Sequence, residues 1–140
     1  MAENKTVLFV DDDEAILRSL ERGLLDESYN KFFAKSSKEA LKVLKRTKVH
    51  VIVTDMLMPE MTGLELLRIA RKEYPDIIGM VLTGHEQNTE LQNAVEQGEI
   101  FKLIPKPLWK LGGKFERLIR RALDGSNLQN ERDTIPQSIP

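Results

Sequence analysis

Apolar runs alternate with stretches of helical periodicity between residues 6 and 123. Residues 6–10 (TVLFV) form the first run, and Ile16, Leu17, Leu20 and Leu24 follow it at spacings of three and four. A near-continuous Val/Ile/Leu run suits a strand buried on both faces, and the three-four spacing lays one apolar stripe along a helix. The pair predicts a strand followed by a helix, which Gly23 weakens a little. Residues 29–34 (YNKFFA) predict a second strand whose polar start suits a sheet edge, and Ser36-Ser37-Lys38-Glu39 then has capping-box spacing ahead of Leu41 and Leu44. Residues 49–54 predict a third strand, and Thr62-Gly63-Leu64-Glu65 offers another capping box before a helix carrying Leu66, Leu67 and Ala70, which Pro75 ends. Residues 77–82 (IIGMVL) predict a fourth strand. Leu91, Ala94 and Val95 mark a short, mostly polar helix stopped by Gly98. Residues 100–104 predict the fifth strand, and Phe115, Leu118, Ile119, Ala122 and Leu123 form the cleanest amphipathic series.

Strict strand-helix alternation predicts βα units and a parallel sheet, and right-handed crossovers place helices on both faces. The expected class is α/β, a five-stranded parallel sheet doubly wound into a three-layer α/β/α sandwich. One domain over residues 1–124 accounts for the periodic part. Residues 125–140 are polar, with two prolines and no periodicity, and read as a tail or the start of a linker.

Composition narrows the chemistry. Hydrophobic residues make up 41% and charged residues 31%, a globular balance, and the net charge of -1 argues against direct nucleic-acid or membrane binding. Without cysteine, thiolate catalysis and cysteine-held metals are excluded, and two histidines, His50 and His85, are too few for a typical zinc site. A hard, oxygen-liganded cation remains compatible. The N-terminal stretch has a short apolar run broken by aspartates and no signal-peptide pattern, so a cytoplasmic protein is expected.

Charged residues fall where the strands stop. Asp11, Asp12 and Asp13 follow the first strand, Asp55 closes the third, Thr83 follows the fourth, and Lys106 sits between Pro105 and Pro107 after the fifth. In a parallel sheet all these ends meet at one edge, where open α/β folds bind ligands. Clustered carboxylates repel one another unless a cation sits among them, and Mg²⁺ suits one or two carboxylates plus phosphate oxygens. DDDE equally suits a helix cap, and taken alone these acids leave both uses open.

In order, FVDDDEAIL, VIVTDMLMPEMTGLELL, VLTGH and IPKPL make the chain resemble the receiver domain of two-component response regulators, over roughly residues 5–124. The resemblance implies a CheY-like, flavodoxin-like strand order 2-1-3-4-5 and a phosphoprotein switch. Asp55 would accept a phosphoryl group from a sensor histidine kinase or phosphotransfer protein. Asp11 and Asp12 would hold Mg²⁺ together with Asp55 and the Leu57 backbone carbonyl, Asp12 more directly than Asp11. Thr83 and Lys106 would contact the phosphoryl group. The face of the fourth helix, fifth strand and fifth helix would then signal to an output domain or target protein, or form a homodimer. No enzymatic activity is implied beyond the domain's own phosphorylation and dephosphorylation.

Two positions depart from the family pattern. Leu103, three before Lys106, stands where receivers commonly carry Tyr or Phe at the switch position. Leu57 and His85 occupy the two positions that commonly place the hydrolytic water, and an apolar Leu57 predicts slow dephosphorylation. The alternative function is a receiver-like scaffold that binds partners without phosphorylation, motivated by Leu103. A phosphohydrolase of the haloacid dehalogenase type would want Asp at Leu57, and neither G-x-x-x-x-G-K-[ST] nor G-x-G-x-x-G occurs. Met56, Met58 and Met61 read as loop packing, Trp109 as packing at the start of the last helix, and Lys114, Arg117, Arg120 and Arg121 as a solvated basic face. The pattern fits a stand-alone receiver or the receiver part of a longer regulator.

Overall fold

The computed structural model describes residues 4–85 and 87–134, with residues 109 and 126–134 described by their backbone alone. Five strands, β1 (Thr6–Val10), β2 (Asn30–Ala34), β3 (Val51–Asp55), β4 (Ile78–Thr83) and β5 (Lys102–Pro105), pair in parallel in the order β2-β1-β3-β4-β5. Helices α1 (Glu14–Gly23), α2 (Ser37–Arg46), α3 (Gly63–Glu73), α4 (Thr89–Glu96) and α5 (Lys114–Thr134) connect and cover them. This is the doubly wound α/β/α sandwich the alternation predicts, in the flavodoxin-like strand order the family resemblance implies.

Strand alternation divides the core into two layers. Val7, Phe9, Val51, Val53, Met80, Leu82 and Ile104 pack toward Leu17 and Leu20 of α1 and Phe115, Ile119 and Ala122 of α5. Leu8, Val10, Ile52 and Val81 face the other way, onto Val43 and Leu44 of α2, Leu66 and Leu67 of α3 and Leu91 of α4. β1 and β3 are buried along their whole length. The edge strand β2 instead alternates in exposure, and Phe32 is left exposed.

The helix starts follow the capping chemistry. Thr62 and Glu65 make the reciprocal capping box, with Glu65 N–H donating to Thr62 Oγ1 at 3.1 Å and Thr62 N–H to Glu65 Oε1 at 2.8 Å. At α2 only half of the box forms: Ser36 Oγ accepts from Glu39 N–H, but the Glu39 carboxylate takes the N–H of Lys35 instead of Ser36. Gly98 adopts φ +81 just beyond α4, a left-handed conformation that glycine reaches without a Cβ clash.

Strand limits shift by a residue or two from the apolar runs. Ile100 lies buried ahead of β5, and Pro105 is the last residue paired with β4. The larger difference is at the C-terminal end, where α5 continues through Gly125 to Thr134 although its apolar periodicity stops at Leu123. A helix already nucleated and packed needs only propagation, and Leu128, Gln129, Glu131 and Arg132 are good helix formers. The segment expected as a tail is therefore helical over its first ten residues, and residues 135–140 lie outside the described residues. Among the described residues, no helix is long and apolar enough to cross a membrane.

Candidate functional site

The topological switch point lies between β1 and β3, the strands whose carboxyl ends carry the acids. Pairing of Val10 with Thr54 brings Asp11 and Asp55 level, and Asp11 and Asp55 are both buried while Asp12 is exposed. One carboxylate oxygen from each of Asp11, Asp12 and Asp55 lies within 4.8 Å of the others. Asp13 stands apart and caps α1, its Oδ1 accepting the N–H of Ala15 at 2.9 Å. The DDDE run thus divides its work between a helix cap and an acid cluster.

Asp11 is held in an unfavourable electrostatic setting. Burial pushes its carboxyl up from 3.8 to about 6, and the neighbouring Asp55 and Asp12 charges add to the rise. The Asp13 N–H, donating to Asp11 Oδ1 at 2.9 Å, and the Lys106 charge oppose it. The other oxygen, Oδ2, is buried without a hydrogen-bond partner. A buried carboxylate oxygen left unpaired among other carboxylates fits a hard divalent cation.

β4 and β5 supply the remaining groups. Lys106 Nζ pairs directly with Asp55 Oδ1, so the ammonium reaches the acid that closes β3. The Lys106 N–H also donates to the Thr83 carbonyl at 3.0 Å, fastening the proline-bounded turn to the end of β4. Thr83 is buried, and its Oγ1 accepts the His85 N–H at 3.0 Å. A hydroxyl that accepts there keeps its own proton to donate. His85 itself is exposed.

The flanking positions fall as follows. Leu57 is 69% exposed beside the acids, an apolar side chain in water where no packing holds it. Leu103 is half-buried against the α2–α4 layer, whereas Phe101 packs on the α1–α5 layer, so the two do not share a site. Met56 is buried, and Met58 and Met61 pack partly against the same layer as Leu103. Trp109 falls in a 3-10 helix, Leu108–Leu111, with its side chain outside the described residues. An apolar cavity of about 430 Å³ opens beside Lys106, between Ile16 and Leu20 of α1, Leu24 just past its end, and Phe115 of α5. The pattern of apolar positions does not reveal this cavity. Sequence reading also passes over Thr54 and gives Gly63 only a place in a capping box.

The response regulator receiver domain model matches residues 7–111, and the chain belongs to that family. It is 30% identical over 131 residues to the hydrogenase transcriptional regulatory protein HoxA of Cupriavidus necator, covering 94% of this chain and 27% of the relative. It is 36% identical over 104 residues to the transcriptional regulatory protein GlrR of Escherichia coli, covering 74% of this chain and 23% of the relative. The chain thus spans about a quarter of the length of these curated relatives. Among solved structures, one described as adenylate cyclase from Rhodopirellula baltica superposes with a TM-score of 0.86 at 28% identity, over 97% of this chain and 99% of that one. The beryllofluoride-activated NtrC4 receiver domain dimer gives 0.77 at 30% identity, over 88% and 99%. Membership assigns the chain to two-component signalling.

Proposed function

We propose that this domain is a phosphorylation-dependent switch in which Asp55 accepts a phosphoryl group from a histidine kinase or phosphotransfer protein. The observation that carries the reading is the convergence of Asp11, Asp12, Asp55 and Lys106 on one sheet edge of a receiver domain. An Asp55 oxygen attacks the phosphorus of the donor's phosphohistidine, a P–O bond forms, and the P–N bond breaks with its electron pair returning to the imidazole. Lys106 neutralises a phosphoryl oxygen, and Thr83 donates its hydroxyl proton to another. Positioning and charge neutralisation supply most of what phosphoryl transfer needs from a protein. Asp11, Asp12, Asp55 and the Leu57 carbonyl would hold Mg²⁺, which when bound neutralises the acids and the incoming phosphoryl oxygens. The cavity beside Lys106 supports a protein donor that docks across α1 and the start of α5.

Phosphorylation adds about -1.5 to -2 charges, to which Lys106 and Thr83 respond first. Both lie on the β4–β5 side, next to the α4–β5–α5 face proposed to contact an output domain, a target or a second receiver. The receiver body extends to about residue 124, and α5 continues beyond it to Thr134. Leu103 favours a second reading, an unphosphorylated scaffold, because its packed aliphatic side chain cannot swing as an aromatic ring would.

Intact mass after incubation with a small-molecule phosphodonor decides between them. A single Mg²⁺-dependent phosphoryl adduct, absent in Asp55→Asn, is expected; no adduct from folded wild type would establish the scaffold. Adduct lifetime follows from Leu57, which offers no polar group to orient water, so Leu57→Asn should shorten the half-life several-fold. A wild-type adduct that decays faster than the variant's would refute that.

A further inference from the structure

Thr54 is the only residue of β3 before Asp55 with a hydroxyl, and it is fully buried, on the same sheet face as Ile52. Its hydroxyl donates to the carbonyl oxygen of Asp55 at 3.0 Å. A hydroxyl buried in an otherwise apolar strand must find a partner, and here the partner is the backbone of the proposed phosphoacceptor. Gly63, the first residue of α3, closes on the same peptide beside Thr54. A Cβ built there would overlap the Asp55 carbonyl oxygen and would stand 3.0 Å from Thr54 Cγ2 and 3.1 Å from the Asp55 carbonyl carbon. Gly63 has no positive φ, so close approach rather than backbone conformation demands glycine. Its N–H donates to the Met56 carbonyl at 2.8 Å, and the Met56 N–H donates to the Leu82 carbonyl at 3.0 Å.

From this contact set we infer that Thr54 and Gly63 are positioning residues for the proposed phosphoryl-transfer site, locking the peptide that joins Asp55 to Met56. The inference rests on the proposed role of Asp55. That peptide is the pivot between two groups assigned to the cation: the Asp55 carboxylate on one side and the Leu57 carbonyl two residues on. Rotating it would move both. β4 holds Met56 from one direction, α3 holds it from another, and the Thr54 hydroxyl fixes the carbonyl between them. Neither residue touches a phosphoryl group; each acts through the backbone of Asp55.

The two contributions separate by substitution. Thr54→Val keeps the outline of the side chain and removes the hydroxyl, so the melting temperature should fall by a few degrees at most with the fold intact. Thr54→Ser restores the hydroxyl with a smaller side chain, and Gly63→Ala forces the Asp55 peptide aside. Each protein is titrated with Mg²⁺ by calorimetry without a phosphodonor, then phosphorylated at saturating Mg²⁺ with a small-molecule donor over a range of donor concentrations.

Thr54→Val is expected to weaken Mg²⁺ binding about 3- to 10-fold and to lower the saturating phosphorylation rate with little change in half-saturating donor, and Thr54→Ser to recover both. The magnitude corresponds to the loss of one modest hydrogen bond. Gly63→Ala should shift Mg²⁺ affinity in the same direction and further. A folded Thr54→Val with wild-type Mg²⁺ affinity and rate overturns the inference while leaving Asp55 as phosphoacceptor. Wild type that binds Mg²⁺ but forms no adduct overturns the phosphoacceptor reading, and the Mg²⁺ affinities of the variants then decide the inference alone. Wild type that binds no Mg²⁺ and forms no adduct overturns both.

Discussion

The two ends of the sheet treat buried polar groups in opposite ways. At the amino end, His50 closes the start of β1: its Nδ1 accepts the Thr6 N–H at 3.1 Å, while its backbone N–H donates to the Thr6 carbonyl at 2.9 Å. Partial burial, with the Lys5 and Lys48 charges, holds the imidazole below its usual range, and so neutral and able to accept. At the carboxyl end Asp11 keeps an unpaired oxygen and a raised carboxyl, in contact range of two other acids. Tyr29 also buries a hydroxyl without a partner, but burial raises that phenol further from ionising, so no charge is stranded. The lesson is that the amino end strands no charge, while the carboxyl end is left short of positive charge, as a site awaiting a ligand would be.

Substitutions can break this contrast, the largest effect coming from Lys106, the cation paired with Asp55. Lys106→Ala removes the partner of Asp55, and the phosphorylation rate at saturating Mg²⁺ should fall on the order of 10²–10³-fold, the usual cost of losing one preorganised charge-stabilising group. A stopped-flow or mass time course measures it. An unchanged rate would remove Lys106 from the site.

Stability should move the other way at Asp11. A carboxyl raised from 3.8 to about 6 contributes stability that is fully present below pH 3.8 and lost as pH rises through 6. In chelator-containing buffer at pH 7, Asp11→Asn should therefore be more stable than wild type by about 1–3 kcal/mol, and the gain should shrink toward pH 4. Denaturant melts across that range test both the size and the slope.

His50 should tilt the opposite way. A lowered imidazole value means the unfolded chain takes the proton first, so its contribution is present above about pH 6.5 and lost as pH falls through the folded value. His50→Leu leaves the Thr6 N–H without its acceptor and should cost about 1–2 kcal/mol at pH 7, with a smaller difference from wild type at pH 5. If both variants tracked wild type across pH, the two ends would not differ as described.

Gly23→Ala serves as the control. Nothing lies within 4 Å of the added Cβ and φ is not positive, so α1 should gain about 0.5–1 kcal/mol at every pH, without any tilt.

Much of this was legible in the sequence because it rests on local rules. Continuous apolar runs mark the three inner strands, β1, β3 and β4, and Asp55 and Lys106 stand out as charges placed where apolar runs end. What escaped depends on distance in three dimensions. Nothing in the residues around His50 points to Thr6, 44 positions away. The Thr54 hydroxyl reads as ordinary strand composition until the Asp55 carbonyl is seen above it, and Gly63 as a helix opening until its missing Cβ is seen to be required. The helix beyond Leu123 carries no amphipathic signal in its sequence, so periodicity could not mark it.

The placement of the acids on the two central strands has a consequence for how the domain would lose its structure. β1 and β3 are flanked by strands on both sides and buried throughout, while β5 is a four-residue strand at the edge. Amide protons over residues 7–10 and 51–54 should exchange with solvent only when the whole molecule opens, whereas those of 102–104 can exchange by fraying of the edge. Asp11 and Asp55 thus hang from the slowest-exchanging part of the molecule, and Lys106 from one of the fastest. A charge arriving at Asp55 would pull on the yielding half and leave the anchored half where it is.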